Sequence, residues 1–238
     1  MSYILPVILI LLSMVIFAFL QLSPSLFIIF YHSRLAKTSK KRADDQSLSY
    51  ILGTEIYATF IWIVIYFIIF AAFLYVPEFG GGLFPFIMAG VFFAEAIIIL
   101  FFYFRRKKSK SSTALFISRR ISKNLIHNAE KANNRTDCIT LGFMANLPEL
   151  FFTLPVFIVS ATILQNTPAL PRAIIIIALV CASTVPLLTV RRLYHTDHNL
   201  AEIQRLHVKL RPHIRFILTL AYFALALTII NMGILQNG

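Results

Sequence analysis

FMANLPELFF, residues 143–152, interrupts a largely apolar stretch that runs from Ile139 to Leu164. A stretch of that length is long enough to cross a bilayer, which takes roughly 20 residues. Yet at its centre stand Pro148 and Glu149. Proline removes a backbone donor and a carboxylate must be desolvated, so each is costly at membrane depth. How the pair is accommodated decides how the chain is read.

The surrounding chain is built for lipid. It has 238 residues, 58% of them hydrophobic, with 23 Phe and only 13% charged; soluble chains carry about 25% charged residues. Six spans are predicted: Val7–Tyr31, Ser49–Val76, Leu83–Phe104, Ile139–Gln165, Arg172–Val190 and Phe216–Ile234. The N-terminus MSYILPVILILL lacks a basic leading segment and a small-residue cleavage site, and reads as a retained helix. The expected fold class is an all-α integral membrane protein, multi-pass, in a bacterial plasma membrane.

Charge sets the orientation. Residues 32–48, 105–137 and 191–215 together hold 21 of the 22 Lys and Arg; Arg172 is the exception. The positive-inside rule makes those three segments cytoplasmic and puts both termini outside. The net charge of +12 follows from this topology and from anionic lipid head groups at the basic loops. No nucleic-acid partner is implied. Residues 113–131 and 199–212 carry apolar residues every three or four positions among basic ones. Such helices lie on a membrane surface or dock a partner subunit.

The chain divides into residues 1–104, a basic linker 105–138, and residues 139–238. With the linker cytoplasmic, the first span runs inward and the fourth outward, as in two inverted three-helix repeats. Gln21-Leu22-Ser23-Pro24-Ser25-Leu26-Phe27 resembles Asn146-Leu147-Pro148-Glu149-Leu150-Phe151. Pro24 is ten residues from Arg34 and Pro148 eleven from Asp137, so each lies about 15 Å from the cytoplasmic edge, half the depth of the core. Such paired breaks are where secondary transporters place substrate, although two structural kinks would give the same pattern.

Six spans in inverted triplets, outward termini, a basic linker and the LGFMANLPELFF break resemble the lysine-exporter superfamily of small secondary transporters, its GAP-like branch in particular. The resemblance implies a carrier and helix-break roles for Pro24 and Pro148. The fourth span carries Asn-Leu-Pro-Glu where relatives have Asn-Pro, and substrate identity does not carry over.

Glu95, Glu149 and Glu55 fall within spans. No Lys or Arg sits near the middle of a span, so the deep carboxyls are neutral or accompanied by a positive visitor: a proton, a metal ion or a cationic solute. Glu55, six residues into its span, reads as shallow. The candidate substrate or coupling-ion site is therefore Ser23, Pro24, Ser25, Glu55, Glu95, Asn146, Pro148 and Glu149, with Pro148 opening the helix and Glu149 occupying a wet gap. No metal site and no cofactor is expected. His195, Asp197 and His198 lack a third well-placed ligand, and Cys138 and Cys181 read as ordinary thiols. No motif of nucleotide or common membrane hydrolases occurs, so the chain is not read as an enzyme. The expected function is a secondary transporter, an exporter of a small solute or cation coupled to an ion gradient. The alternative is a non-catalytic membrane subunit, with a second copy or another chain as partner.

Overall fold

The computed structural model describes residues 4–21, 40–76, 82–106, 127–129, 131–132, 134–165, 167–195 and 200–237. Among them there is no strand. The helices are α1 (Ile4–Leu20), α2 (Lys40–Tyr75), α3 (Phe84–Arg106), α4 (Arg135–Asn146), α5 (Leu150–Gln165), α6 (Ala169–His195) and α7 (Leu200–Asn237). A single 3₁₀ turn, Leu147–Glu149, joins α4 to α5. Counting α4, that turn and α5 as one rod, five helical runs are long and apolar enough to cross a membrane, while α1 is a shorter apolar helix. The protein is an all-helical, multi-pass membrane protein.

The starts of α2 and α7 and the end of α6 lie beyond those predicted, for one physical reason: charge in the terminal turns of a helix does not end it when water or an ion pair receives it. α2 begins at Lys40 rather than Ser49, and its first turns are tied by Asp44 to Arg191 at 2.7 Å and by Asp45 to Arg135 at 2.9 Å. α6 continues past Val190 to His195. α7 absorbs residues 200–212, so that amphipathic stretch is the start of the last spanning helix and not a separate surface helix. With 36 and 38 residues, α2 and α7 are about 54 and 57 Å long, well beyond a 30 Å core. Of the linker's amphipathic stretch, 113–126 lies outside the described residues. At its end Ala129 and Ala132 are buried while His127 and Lys131 are exposed, so that end of the apolar stripe packs on protein. Asn134, which opens an Asn-Arg-Thr glycosylation pattern, caps α4 by accepting from the Asp137 amide at 2.7 Å.

Side-chain registers give the helix directions. Ser160 donates to Ser13 (3.1 Å) and Phe157 packs on Phe17, so α1 and α5 are antiparallel. Asp45–Arg135, Thr54–Asn146 and Trp62–Phe157 make α2 parallel to the α4–α5 rod. Asp44–Arg191 and Glu55–Thr184 make α2 and α6 antiparallel. Pro85 meets Gly233 and Phe93 meets Phe223, so α3 and α7 run antiparallel along most of α3. Apart from the links along the α4–α5 rod, every substantial packing pair joins a helix before residue 107 to one after residue 134: α3 with α7, α2 with α4, α5 and α6, α1 with α5, α6 and α7, and α3 with α5. The triplets interleave; neither forms a body of its own.

Arg172, the one basic residue outside the three basic segments, closes the α5–α6 hairpin. Its guanidinium donates to the Thr167 and Gln165 carbonyls and to the Tyr66 hydroxyl, giving the open carbonyls at the end of α5 a cation.

Candidate functional site

Polar residues on an otherwise apolar rod mark the interior. Asn146, Glu149, Thr153 and Ser160 are spaced by three, four and seven, which places them on one face of α4–α5, and all four are buried. The 3₁₀ turn is the local answer to Pro148. With no N–H on Pro148, the Leu147 amide donates to Met144 O, and Leu150 N donates to Leu147 O. Leu147 and Leu150 keep right-handed helical dihedrals. Proline tightens the helix here and does not open it, which corrects the expected wet gap: Glu149 is only 1% exposed. Pro155 and Pro186 lie within α5 and α6 without ending them.

Asn146 is held by its amide. Its Nδ2 donates to Gly142 O at 2.7 Å and to Thr54 Oγ1 at 3.3 Å, while its Oδ1 has no donor among the described residues. The contact exists because α2 and α4 touch backbone to backbone. A Cβ on Gly53 would overlap the Ile139 carbonyl, and one on Gly142 would overlap the Tyr50 carbonyl. Small residues are what permit this approach in a membrane.

Glu95, on α3, is 2% exposed, and neither carboxylate oxygen has a hydrogen-bond donor among the described residues. Glu149 is engaged and not free. The two acids flank Tyr222: Glu95 lies one turn from Phe92 and Glu149 one turn from Phe152, the residues that the tyrosine's ring and hydroxyl touch. That hydroxyl donates to Phe152 O at 2.6 Å, and its ring packs on Phe92. Tyr57 on α2 packs edge-on against Phe143 of the rod, and its hydroxyl is buried with no hydrogen-bond partner among the described residues. The α1 register set by Ser13–Ser160 and Phe17–Phe157 carries Gln21, one turn on, to the level of Phe152 and Thr153. Gln21 is buried, and its Oε1 has no donor among the described residues. Helices α2, α3, α5 and α7 thus each bring a polar group to one buried layer, and Gln21, just after α1, is buried at the same level. A buried acceptor without a donor costs about 1–3 kcal/mol, and an uncompensated charge far more. A neutral acid, or a cation beside it, is the state this layer tolerates.

Glu55 stands apart. It is half-buried and accepts from Thr184 Oγ1 on α6. It lies at the level of the helix break, because the adjacent Thr54 bonds Asn146. Glu55 points away from the Glu95–Tyr222–Glu149 layer toward the α2–α6 groove. Ser23, Pro24 and Ser25 lie outside the described residues, as do Asp197 and His198. Among the described residues no group of three His, Cys, Asp or Glu side chains is placed to hold a metal ion. Tyr57, Tyr222, Thr54 and Gln21 belong to the layer but were not among the expected site residues. The spacing 50, 54, 57 on α2 and 215, 219, 222 on α7 is a polar stripe of helical period, and it was the available signal.

No family model matches this chain, no curated protein matches it, and no solved structure matches it.

Proposed function

We propose that this chain is a secondary transporter, an exporter of a small solute or cation driven by an ion gradient across a bacterial plasma membrane. It crosses six times as two inverted three-helix repeats, with both termini outside and the basic linker in the cytoplasm. The observation that carries this reading is the burial of Glu95 and Glu149, one from each half, each one helical turn from a residue that touches Tyr222. Intramembrane acids held so are functional sites by default, because their cost is hard to justify structurally.

Two further features support the inverted repeat. Exchanging α1 with the α4–α5 rod, α2 with α6 and α3 with α7 maps the set of substantial packing pairs onto itself. The residues paired by the sequence alignment also sit alike: Gln21 directly follows the end of α1, Asn146 is the last residue of α4, and each is buried with an amide oxygen lacking a donor among the described residues. Both features agree with the resemblance to the lysine-exporter superfamily. In this mechanism the cation or solute enters the layer, Glu95 and Glu149 exchange a positive partner, and Tyr222 senses both.

The test is release of solutes from cells expressing wild type, Glu95→Gln or Glu149→Gln at matched membrane abundance, read by untargeted mass spectrometry of the medium. The expected result is a defined set of solutes released by wild type and lost in both variants. Identical media from all three would overturn the reading.

A second reading, a non-catalytic membrane subunit, is favoured by one observation. α2 and α7 extend past the bilayer and present exposed Lys41, Arg42 and Lys209, a surface suited to an acidic partner. Charge reversal at those three positions would then shift the native mass of the membrane complex, and substitution of Glu149 would not.

A further inference from the structure

The packing divides the molecule differently from the sequence. α3 and α7 form one antiparallel pair, joined from Pro85–Gly233 at one end to Phe93–Phe223 and Phe92–Tyr222 near the middle. α2, α4, α5 and α6 form a block. Within it α2 and α4 meet at Gly53 and Gly142 with no room for a Cβ, and Thr54 bonds Asn146. Asp45–Arg135, Asp44–Arg191 and Glu55–Thr184 then tie α2 to α4 and α6. Among the substantial packing pairs, the pair meets the block directly through α3 against α5 alone, and α1 bridges the two by touching α5, α6 and α7.

The seam between pair and block is also where the polar layer lies. Glu95 and Tyr222 belong to the pair; Tyr57, Asn146, Glu149 and Thr153 belong to the block. Close-packed interfaces switch between discrete arrangements and do not deform continuously, so motion falls where packing is sparse and polar groups can trade partners. Backbone contact at Gly53 and Gly142 leaves α2 and α4 nowhere to slide.

We propose that α3 and α7 move as one rigid body against the α2–α4–α5–α6 block, with the Tyr222–Phe152 hydrogen bond as the latch across the seam. The inference rests on the transporter reading, since a carrier must expose its interior to each side in turn. The moving bodies are then not the two sequence triplets.

Spin labels at the ends of the helices remote from the Asp44 and Asp45 ion pairs test it without any substrate. Tyr75, Leu83, Leu170 and Ile234 are all exposed there, on α2, just before α3, on α6 and on α7. The measurement is the pulsed-EPR distance distribution in lipid nanodiscs, in a Cys181→Ser background. Leu83–Ile234 and Tyr75–Leu170 lie within the proposed bodies, and each is expected to give one narrow distance. Tyr75–Leu83 and Leu170–Ile234 cross the seam and are expected to give two populations, whose ratio shifts in Tyr222→Phe. Motion of the sequence triplets gives the reverse assignment and overturns the proposal. Four narrow distances, or broadening of either within-body pair, overturn it as well. Two populations across the seam in a protein that releases no solute would sink the transporter reading and leave the division into bodies intact.

Discussion

Gly53 and Gly142 sit on neighbouring helices so that each presses on the other helix's backbone: Gly53 on the Ile139 carbonyl, Gly142 on the Tyr50 carbonyl. Lipid is as apolar as leucine, so helices in a bilayer associate through close fit and hydrogen bonds, not through burial from water. This crossing supplies both, because the same approach brings Thr54 within reach of Asn146.

Gly53→Ala and Gly142→Ala should each destabilise the protein by about 1–3 kcal/mol, the usual cost of overpacking. Gly90→Ala, where an added methyl meets nothing within 4 Å, should be neutral or better. Unfolding in mixed detergent micelles, followed by tryptophan fluorescence of Trp62, reads all three.

Removing either side of the Thr54–Asn146 bond should leave the other side with a partner. Asn146→Leu leaves the Thr54 hydroxyl its bond to Tyr50 O, whereas Thr54→Val leaves the Asn146 Nδ2 its bond to Gly142 O. A double-mutant cycle on Thr54→Val and Asn146→Leu should give coupling of roughly 0.6 kcal/mol, the mean for hydrogen bonds in membranes. A coupling near zero would mean the 3.3 Å contact contributes nothing.

Arg172→Lys should loosen the α5–α6 hairpin nearly as much as Arg172→Ala. The guanidinium serves the Gln165 and Thr167 carbonyls and the Tyr66 hydroxyl at once, and an ammonium cannot span that set. Limited proteolysis between Gln165 and Ala169 should accelerate in both variants to a similar extent.

Asp44→Asn and Arg191→Gln should each cost no more than about 1 kcal/mol, because the pair is partly solvated. The charge-swapped double variant should recover most of the loss, and the loss itself should shrink at high salt.

Much of the frame was legible in the sequence, and the reasons are specific. Pro148 beside Asn146 marked a departure from α-helix because proline must abolish a backbone bond somewhere, and the 3₁₀ turn falls there. Which way the departure went was not legible. Opening and tightening use the same residue, and only the neighbours Tyr57, Thr153 and Tyr222 decide between a wet and a dry site. The start of α2 was not legible because its basic first turn looks like a loop until Arg135 and Arg191 are seen to pair with Asp45 and Asp44. Tyr222 was missed because the stripe of Arg215, Thr219 and Tyr222 gives a shared helix face but not what that face meets, which the hydroxyl's bond to Phe152 O reveals. Pro24, Ser23 and Ser25 lie outside the described residues.

The interleaving of the two triplets bears on biosynthesis. Among the described residues, the first three helices have no substantial packing with one another, because their substantial contacts lie with segments translated later. They must wait in the bilayer as loosely associated rods, vulnerable to membrane proteases, until the last helix is inserted. A truncated N-terminal piece should therefore be cleared quickly. Two co-expressed pieces, split within residues 107–126, should find one another and restore a lasting product.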